Sequence, residues 1–335
     1  MGFSAIVPAH NSASTLAVCL RAIRAAGGAA IEIVVVDDCS SDDSARVAQA
    51  LSDVTVPAAA RLGASGARNL GARHAGGEIL VFIDADVVAP LHAFSVLEEL
   101  FAESDVQAVQ GVYDGKCPFT NVASQYKDLY YHYAWTQRVK NRRLVSAASF
   151  FFAIRREVFE ALGGFDERIR VPTVEDADLG SRLVHRGGTI LLEPRLAVTH
   201  HRHYGVRELL RYDIRLAAAK TRFILRSRGT GAHEAAASRP AVAVSTARAS
   251  EMWSWVAVLG LLPLGLFAAA GGAWALAIGA VVLSAVLQGS FFRFVSRSKG
   301  VPVAAGCAAL MFADVLAIDA GIVAGALSFA AGRRY

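Results

Sequence analysis

The chain has 335 residues, of which 54% are hydrophobic and 19% charged, with a mean hydropathy of +0.39. That is too apolar for an ordinary soluble domain of this length and too charged for a protein held wholly in a bilayer. The formal net charge is +5; much of the basic excess falls between Arg202 and Arg228, just ahead of the apolar part, and points to anionic lipid and away from a nucleic acid polymer. Cys19, Cys39, Cys117 and Cys307 are scattered with no C-x-x-C pair. They make neither a disulfide framework nor a zinc signature, and a reducing compartment fits. No basic segment precedes the first apolar run, so no signal peptide is expected. Ile6 stands where a myristoylation signal needs Ser or Thr.

Phe3 to Val7 reads as a first strand, broken by Pro8, with Pro8-Ala9-His10-Asn11 as the turn beyond it. Ser14 then caps a helix with Leu16, Leu20 and Ile23 on one face, ending at Gly27-Gly28. Ile31 to Val36 is a second strand and ends in Asp37-Asp38; Ser41-Asp42-Asp43-Ser44 caps the next helix. Strand, helix, strand, helix at this spacing predicts a parallel βαβ sheet. Gly63 to Gly71 is built of small residues before a helix, which would bring backbone N–H groups and Arg68 towards an anion. A plain small-residue helix with a solvated Arg68 fits the same letters.

Ile79 to Ile83 is short, apolar, and rich in β-branched and aromatic residues, as a strand buried on both faces should be. It stops at Asp84-Ala85-Asp86. In open α/β sheets ligands bind beyond the carboxyl ends of the strands. Carboxylates on alternate positions suit a hard divalent cation also held by substrate phosphates; in isolation they also fit an Asx turn. His10 can stack on a flat ring, and Asp38 can accept a hydrogen bond from a ring N–H, which are the needs of a nucleobase pocket.

In this order, Ile6-Val7-Pro8-Ala9-His10-Asn11, Val36-Asp37-Asp38-Cys39-Ser40-Ser41-Asp42, Gly66-Ala67-Arg68-Asn69 and Ile83-Asp84-Ala85-Asp86 resemble the inverting, nucleotide-sugar-dependent glycosyltransferases of family 2. The resemblance covers residues 1–205. It implies the GT-A fold, an α/β nucleotide-sugar-binding fold whose mostly parallel central sheet is flanked by helices. It also implies that Pro8, His10 and Asp38 surround the base, Arg68 the pyrophosphate and Asp84 the ribose. Asp86 would bind a Mg²⁺ or Mn²⁺ bridging the diphosphate.

A helix from Ala93 to Phe101 and a strand from Val106 to Val112 come next. Between Cys117 and Val145, Tyr126, Tyr130, Tyr131, Tyr133 and Trp135 interleave with Lys127, Arg138, Lys140, Arg142 and Arg143. That mixture suits an acceptor groove, a membrane interface or a helical core. Ser149 to Phe159 leads to Gly163-Gly164-Phe165-Asp166, and in the resemblance it backs the sugar pocket. Val174-Glu175-Asp176 opens a helix. Inverting transfer needs one base to take the acceptor proton; by the motif match that base is Asp176, with Glu175 beside it. Both also fit acids favoured by a helix dipole. Ile190-Leu191-Leu192 and Leu196 to Val198 are further apolar runs. His200, in Thr199-His200-His201-Arg202-His203, is the candidate to complete the metal shell; a surface histidine cluster is the other reading.

Residues 206–228 read as a basic amphipathic juxtamembrane helix, 229–252 as a linker rich in Ala, Ser and Gly, and 253–330 as a transmembrane region of two to three helices. Gly271-Gly272 divides Trp253 to Gln288 into a tight hairpin; a basic loop, Phe291 to Gly300, precedes a third span, Val301 to Ala330, that holds Asp314 and Asp319. A third span leaves Arg333-Arg334 outside, against the positive-inside rule. The expectation is a multi-pass protein of the cell membrane with a cytoplasmic catalytic domain. It would move a single sugar from a UDP-sugar to a membrane-associated, lipid-type acceptor, since the Q-x-x-R-W signature of processive synthases is absent. A processive synthase and a non-catalytic nucleotide-sugar-binding scaffold are the alternatives.

Overall fold

The computed structural model describes residues 1–138, 142–169, 173–228 and 249–333. They form two compact units: residues 1–116 with 142–202, and residues 117–138 with 203–228 and 249–333. The linker read at 229–252 lies, as far as residue 248, outside the described residues.

The first unit is α/β. Its chain order begins β1 (Phe3–Ala9), α1 (Ala13–Gly27), β2 (Glu32–Asp37), α2 (Ser44–Leu51), β3 (Val54–Pro57), α3 (Gly63–His74), β4 (Ile79–Ile83), β5 (Val87–Val88), α4 (Ala93–Phe101) and β6 (Ala108–Tyr113). After α5 (Val122–Tyr133), which belongs to the second unit, come β7 (Arg143–Leu144), β8 (Phe151–Arg155), α6 (Arg156–Ala161), α7 (Glu175–His185) and β9 (Ile190–His200). The strands lie in the order β3-β2-β1-β4-β8-β6-β9-β5, with β7 beside β9.

Strands β3, β2, β1 and β4 are mutually parallel, so their carboxyl ends share one edge. This half follows from the sequence. The residues of β4 are all buried, which only a strand covered on both faces requires. Helix α1 buries Leu16, Leu20 and Ile23, the predicted face, together with Cys19. Gly71 lets α3 lie close on the sheet; a Cβ there would sit 2.5 Å from Ile6 Cγ2 and 3.1 Å from Val36 Cγ2.

Beyond β4 the sheet becomes mixed. Strand β8 runs antiparallel to both β4 and β6, while β6 and β9 are parallel. Strand β9 is one eleven-residue strand where two separate apolar runs were expected. It continues past the sheet to pair with β5, setting Val87 opposite His200. That short antiparallel pairing brings the histidine to the strand end carrying Asp84 and Asp86.

The second unit is helical: α5, α8 (Val206–Arg228), α9 (Ala249–Ala270), α10 (Trp274–Leu287), α11 (Gly289–Lys299) and α12 (Val301–Ala330). Its core joins Tyr126, Leu129 and Tyr133 to Leu209, Leu262, Phe291, Val295, Cys307, Met311 and Val315. The tyrosine-rich stretch of α5 is therefore core, the third of the roles its composition allowed. Among the described residues, α12 is the one single helix long and apolar enough to cross a membrane; α10 and α11 pass that test together but bend by 60° at their junction.

Candidate active site

Pro8, His10, Asp38 and Asp84, four of the predicted donor residues, lie at the shared edge of the parallel strands, and Arg68 lies on α3. At the end of β1, Pro8 and His10 are partly buried. His10 Nδ1 lies 2.9 Å from the Asp38 carbonyl oxygen. Asn11, at φ 49°, accepts the Ser41 amide on its side-chain oxygen at 2.8 Å and ties the ends of β1 and β2 together.

Asp38 is almost fully buried. Its carboxylate accepts the Leu62 amide at 2.6 Å and the Gly63 amide at 2.9 Å, and it pairs with Arg61. The first amides of α3 are thus engaged by Asp38 rather than pointed at open space. Arg61, which the sequence did not single out, is half-exposed on this rim.

Arg68 is not solvated. It is buried, 3% exposed, and its two terminal nitrogens fork between two carboxylates: Nη2 donates to Asp84 Oδ1 at 2.8 Å and Nη1 to Glu175 Oε1 at 3.0 Å. Its guanidinium lies 5.5 Å from the centre of the Phe165 ring. Burial alone would lower its pKa, but Asp84 and Glu175 outweigh it and raise the value. Glu175 is held on its other oxygen by the Thr173 amide at 2.7 Å. One arginine therefore joins the end of β4 to the start of α7, which begins 107 residues after the arginine itself.

Asp176 stands next to that junction. Its Oδ2 accepts the Ser149 amide at 3.2 Å and its Oδ1 the Ala177 amide at 2.7 Å. Burial and the neighbouring Glu175 carboxylate raise its pKa to about 7, with Arg68 opposing. The Ser149 amide belongs to a strap pinned a second time where the Ala148 amide donates to Gln110 Oε1 at 2.6 Å. Gly180 gives α7 room against it; a Cβ there would lie 2.3 Å from the Ala147 nitrogen.

Asp86 and His200 meet across the β5–β9 pairing, with Nε2 3.5 Å from Oδ2. Burial works against ionisation of Asp86, but His200 and Arg202 hold its pKa below the usual carboxylate value. Tyr113 supports His200: the two rings are 4.9 Å apart, and Tyr113 is stacked on Phe150 at 4.0 Å. Among the described residues no group of three or more His, Cys, Asp or Glu side chains is placed to hold a metal ion alone. One carboxylate and one imidazole do fit a Mg²⁺- or Mn²⁺-type cation that takes its other ligands from diphosphate oxygens and water.

Similarity to known proteins bears on the fold. Residues 4–163 match the profile of Glycosyl transferase family 2. That segment, just under half of the chain, is similar to family 2 glycosyltransferases. The fold is accordingly the GT-A glycosyltransferase fold, with its sheet turning from parallel to mixed at β8. An uncharacterized glycosyltransferase of Nostoc sp. is 36% identical over 114 residues, which is 32% of this chain and 35% of that protein. The succinoglycan biosynthesis protein ExoO of Rhizobium meliloti is 37% identical over 84 residues, 24% of either chain. The chain thus spans about a third or less of the length of these two relatives. The mannosyltransferase PcManGT of Pyrobaculum calidifontis, solved with GDP-Man and Mn²⁺, has the same fold: the TM-score is 0.57 at 17% identity, over 97% of this chain and 87% of that one.

Several structural residues of the α/β unit escaped the sequence reading. Asn69 accepts the Phe165 amide and donates to the Phe165 carbonyl, both at 2.9 Å, and so fixes the Gly163-Gly164 turn, where both glycines have positive φ. Ser65 donates to the Ile169 carbonyl at 2.8 Å. The small-residue helix α3 therefore organises the segment ahead of Glu175. Gln110 and Tyr113 on β6 carry no motif at all. Their signal was only a polar and an aromatic residue inside a buried strand.

Proposed function

We propose that this chain transfers a single sugar, with inversion, from a nucleoside diphosphate sugar to a membrane-associated acceptor, with a UDP-sugar as the first donor to test. The observation that carries the reading is the Arg68 fork, because it gathers the strand-end acid Asp84 and the acid pair Glu175-Asp176 into one cluster beside the nucleotide rim. In this reading Pro8, His10 and Asp38 surround the base and Asp84 takes the ribose. Arg68 serves the diphosphate by fixing the acids around it and adding positive potential. Asp86 and His200 would hold a divalent cation. When bound, such a cation supplies neutralisation of the leaving diphosphate.

Asp176 takes the acceptor proton. Two backbone amides aim its carboxylate, and a pKa raised to about 7 makes it a stronger base than an ordinary aspartate while leaving it ionised in much of the protein at neutral pH. Glu175 is committed to Arg68 and to the Thr173 amide, which suits a positioning role and not proton transfer. The test is to incubate the purified chain with a panel of UDP- and GDP-sugars and to follow diphosphate release and the anomeric configuration of the product. Release from none of them, or a product of retained configuration, would refute the reading. A product ladder would select a processive synthase instead.

A further inference from the structure

We propose that the helical unit is a monotopic membrane anchor. The α9–α10 hairpin enters one leaflet of an anionic bilayer and returns to the same side, while arginines of α8 and α11 lie among the headgroups. Membrane association itself is carried over from the reading above; sugar transfer is not needed for it.

The hairpin is apolar on its outside. Leu264, Leu266 and Phe267 on α9 are exposed, as are Trp274, Leu276, Ile278, Val282 and Val286 on α10. Its inside is small: a Cβ on Gly265 would lie 2.9 Å from the Ala280 Cβ, so the two helices touch closely, as helices do in lipid. An exposed apolar surface of this extent needs a partner.

The hairpin is too short to cross. Leu262 and Leu287 still pack in the core of the unit. From Pro263 to Ala270, α9 rises only about 12 Å, and the 14 residues of α10 rise about 21 Å. The hydrocarbon core is about 30 Å thick, so neither arm of the projecting part reaches across it.

A turn at that depth must satisfy its own backbone. Much of this one is satisfied: the amides of Gly271, Gly272 and Ala273 donate to the carbonyls of Phe267, Ala269 and Ala268, and those of Leu276 and Ala277 both reach the Ala273 carbonyl.

Exposed basic groups stand on two other helices of the same unit. Arg207, Arg211 and Arg215 are exposed at four-residue spacing on α8, and Arg293 and Arg297 likewise on α11, which follows α10 directly. The apolar face of α8 is not available for insertion. It packs on α12, where a Cβ on Gly321 would lie 2.4 Å from the Ile214 carbonyl and one on Gly325 2.6 Å from the Ala218 carbonyl. The contribution of α8 to membrane binding is thus electrostatic, and hydrophobic insertion belongs to the hairpin.

The same packing bears on α12. It is long enough to span, yet Cys307, Met311 and Val315 are fully buried in the helical core, and Asp314 is buried and accepts the Tyr126 hydroxyl at 2.8 Å. A crossing α12 would carry the arginine stripe of α8 with it into the hydrocarbon, which is costly.

The test uses the full chain and vesicles of phosphatidylcholine with or without phosphatidylglycerol. The chain is expected to float with the anionic vesicles and to stay bound in high salt. Phe267→Asp with Leu276→Asp is expected to make that binding salt-labile. For topology, Ala273→Cys, Ser298→Cys and Arg333→Cys are placed in a Cys39→Ser, Cys117→Ser background and probed with a membrane-impermeant maleimide. Ser298→Cys and Arg333→Cys should react from the same side, and Ala273→Cys only after detergent. Reaction of Ala273→Cys or of Arg333→Cys from the side opposite to Ser298→Cys would overturn the proposal. So would a chain that stays in lipid-free buffer as a soluble oligomer and ignores vesicles. Diphosphate release in detergent reports separately on the transferase reading and on the folding of each variant.

Discussion

Each unit buries an ion cluster, and the two are built alike. In the α/β unit Arg68 lies between Asp84 and Glu175; in the helical unit Lys127 pairs with Asp213, and Tyr126 donates to Asp314 nearby in sequence and packing. Arg68, Glu175, Lys127 and Asp213 are all about 4% exposed or less. What differs is the company. Asp84 is 35% and Asp86 23% exposed at the side chain, and both sit at a strand end where Asp176 and His200 converge. Lys127 instead faces the rings of Tyr131 and Tyr212 at 5.1 and 5.3 Å. Buried charge alone therefore marks neither a site nor a strut. The first cluster borders a place a ligand can reach, and the second is closed by aromatic packing.

The largest expected effect lies beside the first cluster. Asp176→Asn should keep the fold and donor binding but lower transfer by about 10²–10⁴-fold, the usual share of a positioned base. Diphosphate release in the presence of acceptor, set against calorimetric donor binding, checks it. Near-wild-type turnover would remove Asp176 from its role.

Truncating the two cations separates the clusters. Arg68→Met and Lys127→Met each leave a buried carboxylate without its counter-charge and should cost about 3–5 kcal/mol in denaturant unfolding. Replacing both members of a pair by apolar or neutral groups should recover most of that stability. The outcomes then diverge. Lys127→Met with Asp213→Leu should restore both stability and turnover, whereas Arg68→Met with Glu175→Gln should restore stability alone. Turnover recovered in the second double variant would reduce Arg68 to a strut.

The glycines repeat the contrast at smaller scale. Gly180→Ala and Gly321→Ala meet similar obstruction, with a Cβ 2.3 Å from the Ala147 nitrogen and 2.4 Å from the Ile214 carbonyl. Each should cost about 1–3 kcal/mol, as overpacking does. Only Gly180→Ala should also lower kcat, because it pushes on the strap whose Ser149 amide aims Asp176.

The difference between the units also explains what could be read in advance. The parallel half was legible because its signals are local: Ile79 to Ile83 is apolar throughout, α1 repeats its buried residues at helical spacing, and both β2 and β4 end in acids. The predicted Ala93–Phe101 helix agrees with α4 to the residue. The reversal at β8 was not legible, since Phe151 to Arg155 reads the same in either direction. The Arg68–Glu175 contact joins residues 107 apart, and no spacing rule reaches that far. The α5 tyrosines were ambiguous because an aromatic, basic helix has one composition whether it faces a groove or a core. The long-range partner Phe291 decides it.

The smallest expected effect is in pH. Asp176 must be ionised to accept a proton, and its pKa is raised to about 7 by burial and by Glu175, against the pull of Arg68. A raised pKa in a required base means that activity falls as pH falls through that value. Below it, kcat should drop by about tenfold per unit, and above it the rate should level off. Glu175→Gln removes the like charge next to Asp176, so the midpoint should move down. Lys127→Met, whose charge lies in the closed cluster, should leave the midpoint where it was. If the Lys127 variant shifted it and the Glu175 variant did not, the titrating group would lie outside the Arg68 cluster, and the distinction drawn between the two ion clusters would be lost.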